Sequence, residues 1–296
     1  MTRAPMKVIY EPPLRTVLIG GGAGFVGRAL CELLASDGAL RVISVDHYAE
    51  GLVPRETGNF RAVDAGVTGR VQLVALLAEE AVDTVIDLKG DDGTLVEVTQ
   101  AGWAGLTPSV REQCRFIAVG SDELEASRTP FELPLVRAIA AETYGCAQSA
   151  DALIPATILD ALAGGPVWVA GAGLAPRDWL HVDDLAMALL TILARGQVGA
   201  TYHISARESH SVLATVATLC DLVDRIAPRP DGRKHRSLIR FRAGPTSAHP
   251  ALRLDPSRIE RELGWHAQIG FRAGLIETID WYRRHAARRA AAAQTA

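Results

Sequence analysis

The chain has 296 residues, a formal net charge of −3 and 48% hydrophobic residues. That length holds one large α/β unit or two modest domains, and the composition is that of an ordinary globular protein. A slightly acidic chain without a basic cluster argues against a nucleic-acid partner, and no apolar run reaches the length of a membrane span.

Residues 1–13 read as an extra arm ended by Pro12 and Pro13. Thr16–Ile19 predicts a buried strand, followed at once by the glycine-rich run Gly20–Gly27 and an amphipathic helix over Phe25–Ser36. Leu40–Val45 and Asn59–Val63 predict the second and third strands. A helix follows near Gly69–Glu80, with Val71, Val74, Leu76 and Leu77 making one apolar face. Asp83–Leu88 and Arg115–Val119 predict the fourth and fifth strands, and Leu133–Ile139 the sixth. Parallel strands need a crossover of a dozen or more residues. Between Val119 and Leu133 that crossover is close to the minimum, and Pro130 and Pro134 restrict any helix in it.

Beyond Tyr144 the pattern changes. Ala152–Ala163 predicts a helix ended by Gly164 and Gly165, then a short strand Val167–Ala170 and a turn at Gly171–Gly173. His181–Ala194 predicts a helix whose Asp183 and Asp184 suit its positive N-terminal end. Ser209–Ile226 predicts a long helix, Ala227–Lys234 an exposed loop, and Pro256–Gly264 and Phe271–Ala287 the last helices. Alternating strands and helices imply an α/β fold, a Rossmann-type doubly wound parallel sheet with a smaller C-terminal substrate-binding cap. The expected division is 14–143 with 174–203 for the sheet domain and 144–173 with 204–287 for the cap. Residues 1–13 and 288–296 remain as arm and tail.

Gly21, Gly24 and Gly27 have the spacing of a dinucleotide-binding turn, placed between a strand and a helix. Glycine there permits the sharp turn and lets the backbone approach a pyrophosphate, which the helix N-terminal amides then meet. Phe25, Val26 and Arg28 complete the loop and helix start. Asp46 ends the second strand, where an acid accepts hydrogen bonds from the adenosine ribose. The acid favours NAD and Arg28 offsets repulsion of a 2′-phosphate, so NAD(P)H is the expected cofactor with the preference open. Cys31, Cys114, Cys146 and Cys220 lack metal-like spacing and read as reduced thiols of a cytoplasmic protein, with no metal site. His181 and His249 show neither a nucleophile nor a metal pattern, and Trp103 and Trp168 read as core or pocket-wall residues.

The run Ile19–Gly27 is similar to the TGGAGFIG loop of the extended short-chain dehydrogenase/reductases, above all the nucleotide-sugar 4,6-dehydratases and epimerases. Asp64 and Ala65 resemble the pair flanking the adenine, and Asp87–Gly90, with Leu88 and Lys89, stands where the family has His-Leu-Ala-Ala. Ser121–Glu123 resembles the dehydratase Thr-Asp-Glu, and Arg177–Asp184 resembles RDWLHVED. Glu260–Trp265 and Thr278–Tyr282 resemble C-terminal signatures of the family. The resemblance runs from about Arg15 to His285. It implies a hydride-transfer enzyme whose Tyr-x-x-x-Lys pair supplies the proton and orients the cofactor.

That pair is absent. The tyrosines are Tyr10, Tyr48, Tyr144, Tyr202 and Tyr282, none followed by Lys four residues on, and the lysines are Lys7, Lys89 and Lys234. The segment between Glu123 and Leu133 is too short for the family helix that would carry them. The family's Arg-Pro-Gly-His-Asp run corresponds to Pro245–His249, without its arginine, so Arg177 is the surviving phosphate contact; an ion pair with Asp178 or Asp183 is its structural alternative. Candidate substrate-side residues are Ser121, Asp122, Glu123, Tyr144 and Arg177, with Ser121 the candidate for polarising a carbonyl. Lys89 is a candidate stand-in for the missing lysine beside the nicotinamide ribose. The pattern resembles short-chain dehydrogenase/reductase ketoreductases that act on aromatic polyketides and lack the catalytic triad. The expected function is reduction of an aromatic, angucyclinone-like ketone with NAD(P)H, the proton coming from the substrate's own phenol. The alternatives are a degenerate nucleotide-sugar dehydratase/epimerase and a non-enzymatic NAD(P)-sensing module. Expected partners are a small aromatic ketone and, at most, a second copy in a homodimer, with neither nucleic acid nor membrane.

Overall fold

The computed structural model describes residues 15–48, 56–66, 68–89, 94–120, 133–243 and 254–295, with side chains to residue 286. The chain forms two compact units: Met1–Ala140 with Leu185–Ile204 and Pro256–His266, and Ala141–Asp184 with Ser205–Asp255 and Ala267–Ala296.

The first unit is built on a seven-stranded sheet. Its strands are β1 (Arg15–Gly20), β2 (Leu40–Asp46), β3 (Phe60–Asp64), β4 (Thr84–Asp87), β5 (Arg115–Gly120), β6 (Leu135–Ala140) and β10 (Thr201–Ile204). The order is β10-β6-β5-β4-β1-β2-β3, and all pairs are parallel. The order reverses between β1 and β4. Such a switch point opens a crevice at the carboxyl ends of the strands.

The central strands read as continuous apolar runs because both faces are covered. Leu18, Ile43, Val85 and Phe116 pack with Leu73, Leu76 and Leu77 of helix α2 (Arg70–Glu79) and with Val96, Val98 and Trp103 of helix α3 (Thr94–Trp103). Val17, Ile19 and Val42 alternate to the opposite face and are also fully buried. Trp103 donates its indole N–H to the Val82 carbonyl, so it is core, as expected. Helix α3 and the short helix α4 (Pro108–Arg111) were not anticipated, although Val96, Thr99 and Trp103 mark one helical face.

Strands β5 and β6 are direct parallel neighbours, with Phe116 opposite Leu135 and Gly120 opposite Ile139. The short connection read from the sequence therefore does join adjacent parallel strands. Residues 121–132 lie outside the described residues.

The second unit holds β7 (Glu142–Tyr144), β8 (Val167–Ala170), β9 (Pro176–His181), β11 (Glu208–Ser211) and β12 (Ile239–Arg242). β9 lies between β11 and β7, and β12 pairs with β8. Helices α5 (Leu153–Ala163), α7 (Val212–Ile226) and α9 (Phe271–Thr295) pack around Tyr144, Trp179, Leu219 and Leu275. Helix α6 (Val182–Arg195) starts in this unit and runs into the first from Leu185.

Several boundaries differ from expectation. Residues 174–184 were assigned to the sheet domain, but β9 pairs with β7 and β11 of the second unit. Residues 256–266 were assigned to the cap, but helix α8 (Ser257–Leu263) packs on β10 of the first unit. There Arg258 sits over the Tyr202 ring at 5.3 Å, and the Tyr202 hydroxyl donates to Glu262. Helix α7 begins at Val212, because the residues before it pair with β9 and Ser211 accepts the Ala214 N–H as N-cap. Helix α9 continues to Thr295, past the expected end at Ala287; its alanine-rich end has high helix propensity. Trp168, expected in the core or a pocket wall, is 44% exposed.

Candidate functional site

The glycine run lies between the carboxyl end of β1 and the N-terminus of helix α1 (Phe25–Ala35). Gly21 turns the chain with φ of +85°, a region open to glycine at little cost. A Cβ on Gly27 would lie 2.1 Å from the Gly21 carbonyl oxygen, so only glycine lets the helix start against the loop. The Gly24 N–H donates to that oxygen and holds the turn closed. Helix α1 has no side-chain cap and no acid in its first turn. Its leading amides therefore lack side-chain acceptors, the arrangement that receives a phosphate.

The strand ends supply the polar groups around this loop. Asp46 is buried at the end of β2. One of its oxygens accepts the Ala23 N–H at 2.9 Å; the other accepts the His47 N–H at 2.7 Å. The Lys89 ammonium stands 2.6 Å from that second oxygen. Burial by itself would raise the Asp46 pKa; the hydrogen bond from Lys89, the two backbone donors and the Lys89 charge outweigh it, and the carboxyl is held below its ordinary value. Asp64 ends β3 opposite Asp46 in register and accepts the Gly66 N–H, while Ala65 donates to the Asp46 carbonyl. Leu88 donates to the Gly20 carbonyl, and Asp87 accepts the Lys89 N–H. Gly21, Gly24, Phe25, Val26, Gly27, Arg28, Asp46, Asp64, Ala65, Leu88 and Lys89 are thus brought to one edge of one sheet.

The sequence expectation for Lys89 is a stand-in beside the nicotinamide ribose. Its ammonium reaches the Asp46 carboxylate at the end of β2, and its stem lies over the loop: a Cβ on Gly21 would meet Lys89 Cγ at 3.2 Å.

A cleft of about 590 Å³ opens beside Asp46, lined among others by Gly22, Arg28, Glu32, Ser44, His47 and Tyr48. Ser44 and Tyr48 share a hydrogen bond of 2.5 Å between their hydroxyls. Burial raises the Tyr48 pKa above its ordinary value, so its phenol stays protonated at neutral pH. Sequence reasoning missed Ser44, His47 and Tyr48. Their only signal is position, on or just past the strand that ends in Asp46.

The substrate-side expectations fare differently. Ser121, Asp122 and Glu123 lie outside the described residues, as does His249. Tyr144, expected to line the substrate side, is 1% exposed and donates its hydroxyl to the Phe271 carbonyl. Its ring meets Trp179, His181 and Phe271 edge-on, and burial pushes its pKa far up. It packs as a core residue of the second unit. Arg177 pairs with neither Asp178 nor Asp183; its guanidinium meets Glu142 at 2.6 Å. Asp178 accepts from Ser205, and Asp183 lies near His181. Arg177 remains partly exposed, with its Nε buried and unpaired among the described residues.

Among the described residues no cluster of His, Cys, Asp or Glu is placed to hold a metal ion, and no helix is long and apolar enough to cross a membrane.

Comparison with known proteins adds a consistent set of relatives. A family pattern described as GDP-mannose 4,6 dehydratase matches residues 118–278. Another, the NAD dependent epimerase/dehydratase family, matches residues 17–102. The dTDP-glucose 4,6-dehydratase of Neisseria gonorrhoeae is 28% identical over 341 positions, which take in 93% of this chain and 97% of that protein. A probable dTDP-glucose 4,6-dehydratase of Sinorhizobium fredii is 29% identical, covering 90% of this chain and 92% of that one. Because 93% of 296 residues is about 275, roughly 66 of the 341 positions of the alignment with the Neisseria protein have no counterpart here. Among solved structures, dTDP-glucose 4,6-dehydratase from Bacillus anthracis in complex with NAD superposes with a TM-score of 0.73 at 21% identity, covering 91% of this chain and 97% of that one. The enzyme of the same name from Streptomyces venezuelae, with NAD and TYD bound, gives 0.71 at 23%, covering 92% and 98%.

Proposed function

The chain belongs to the GDP-mannose 4,6 dehydratase family, and from that premise we propose that it is an NAD(P)-dependent oxidoreductase acting on a nucleotide sugar. The observation that carries this reading is the loop Gly20–Gly27, closed on an uncapped helix N-terminus beside Asp46 and Lys89. The Gly22, Phe25 and Val26 amides would hold the pyrophosphate, Asp46 and Lys89 would stand at the adenosine-ribose end, and Asp64 with Ala65 at the adenine. When bound, the nicotinamide accepts or donates a hydride. Arg177, held by Glu142, is the arginine proposed to meet the substrate diphosphate. Ser121, Asp122 and Glu123 remain the proposed groups for protons and carbonyls.

The relatives favour this substrate over the aromatic ketone expected from the sequence. One observation keeps the ketone as a second reading: the chain has no Tyr-x-x-x-Lys pair. Oxidising a sugar hydroxyl requires a base to take its proton as the hydride leaves. Reducing a ketone requires only a proton for the new oxyanion, which water, Ser121 or a substrate phenol can supply. A chain without the tyrosine loses more in the first direction than in the second.

Calorimetric titration with dTDP and GDP separates the two, paired with NAD(P)H oxidation in the presence of dTDP-4-keto sugars, aromatic ketones and quinones. Micromolar nucleotide binding with turnover of the keto sugar is the expected result. No nucleotide binding, together with ketone-dependent NAD(P)H oxidation, overturns it in favour of the second reading. Cofactor binding without turnover of any carbonyl overturns both.

A further inference from the structure

The ribose end of the site differs from a plain NAD pocket in one respect, the ion pair between Lys89 and Asp46. A carboxylate offers about four lone-pair directions. In Asp46 three donors already use them: Ala23 N–H, His47 N–H and the Lys89 ammonium. Little capacity is left for the two hydroxyls of an unmodified ribose, and the negative charge that would repel a phosphate is neutralised at 2.6 Å.

The surroundings match that change. The cleft beside Asp46 contains Arg28 and His47, the hydroxyls of Ser44 and Tyr48, and the backbone of Gly22 and Ala23. Among the described residues its lining acid is Glu32. The carboxylates Asp46, Asp64 and Glu32 and the cations Lys89 and Arg28 gather at this end of the site. Without Lys89 the Asp46 charge would stand unneutralised beside the cleft. The Lys89 side chain is 48% exposed while Asp46 is 9% exposed, so a ligand can reach the ammonium without unburying the acid.

We infer that Lys89, with Arg28, is the specificity-determining pair that makes this site select a 2′-phosphorylated dinucleotide, NADP(H), over NAD(H). The inference rests on the dinucleotide reading above and deepens it. The phosphomonoester brings a charge near −2 at neutral pH and three acceptor oxygens. Lys89 donates to it from the Asp46 side and Arg28 from the start of helix α1. Charge-assisted bonds of this kind are about twice as strong as neutral ones.

The test is direct binding on the full chain, read by nicotinamide fluorescence or calorimetry, for NADPH and NADH in parallel. The wild-type protein is expected to bind NADPH at least about tenfold more tightly, with the gap shrinking as salt rises. Lys89→Met is expected to collapse the NADPH-to-NADH ratio towards one, and Arg28→Gln to reduce it. Thermal unfolding confirms that each variant is folded, and Lys89→Gln serves if Lys89→Met is not. Tighter NADH binding by the wild type, or a ratio unchanged in both variants, overturns the inference and leaves the dinucleotide site standing. Failure of the wild type to bind either dinucleotide overturns the reading on which the inference rests.

Discussion

Replacing Gly27 by alanine tests the loop geometry most sharply. The new Cβ would lie 2.1 Å from the Gly21 carbonyl oxygen and 2.6 Å from Gly22 Cα. Both are backbone atoms, so no side chain can swing aside. Ordinary contact begins at 3.4 Å, so the loop must retreat by roughly 1.3 Å. That retreat breaks the Gly24-to-Gly21 hydrogen bond and moves the amides proposed to meet the pyrophosphate. Overpacking of this kind costs about 1–3 kcal/mol of stability. Two lost charge-assisted hydrogen bonds cost binding about 3–6 kcal/mol, a 100-fold weakening or more. The assay is dinucleotide titration beside thermal unfolding. Gly38→Ala is the control, because a Cβ there meets nothing within 4 Å. Unchanged dinucleotide affinity in Gly27→Ala, or an equal loss in Gly38→Ala, refutes the reasoning.

Three further outcomes follow from the second unit. Asp184→Asn should lower stability by about 2–4 kcal/mol, since the buried carboxylate accepts the Gln268 and Ile269 N–H groups and an amide can accept only one well; a melting temperature within a degree of wild type contradicts this. Tyr144→Phe should cost about 1–3 kcal/mol by orphaning the Phe271 carbonyl while leaving dinucleotide affinity unchanged; lost turnover at an unchanged melting temperature would restore a substrate role for that hydroxyl. Burial would raise the Asp224 pKa, but the hydrogen bonds and charge of His235 hold it below its ordinary value. A depressed folded-state pKa adds stability that is full above about pH 4, the ordinary carboxylate value, and is lost as pH falls through the lower folded value. Melting followed from pH 7 to pH 3 should therefore decline less steeply in Asp224→Asn than in wild type, and an identical acid slope would rule out this contribution.

The readable parts of this protein were those set by local physics. Glycine at 21 and 27 is demanded by a positive φ and a backbone approach, and both leave a mark on the sequence. The β1, β2, β4 and β5 runs announce themselves because a parallel sheet buries both faces. The absence of a Tyr-x-x-x-Lys pair needs no structure at all. The elements β7, β9 and β10 were not read from the sequence, because Glu142–Tyr144, Pro176–His181 and Thr201–Ile204 mix polar and apolar residues and lack the continuous apolar run that marks β1, β2 and β5. Their pairing decides which unit they join.

Side-chain partners were decided by tertiary structure alone. Tyr144 looked like a site residue and is packed beneath three aromatic rings. Arg177 had acids beside it in sequence and chose Glu142, because Trp179 pairs with Glu142 across β9 and β7 and brings the two side chains to one edge. Lys89 and Asp46 are far apart along the chain. They meet because β1 pairs with β4 on one side and β2 on the other, so the strand ends converge over the glycine loop. Backbone sterics and burial patterns are properties of neighbours in sequence and were settled there. The charge balance at the ribose end is a property of neighbours in space, and only the folded sheet could set it.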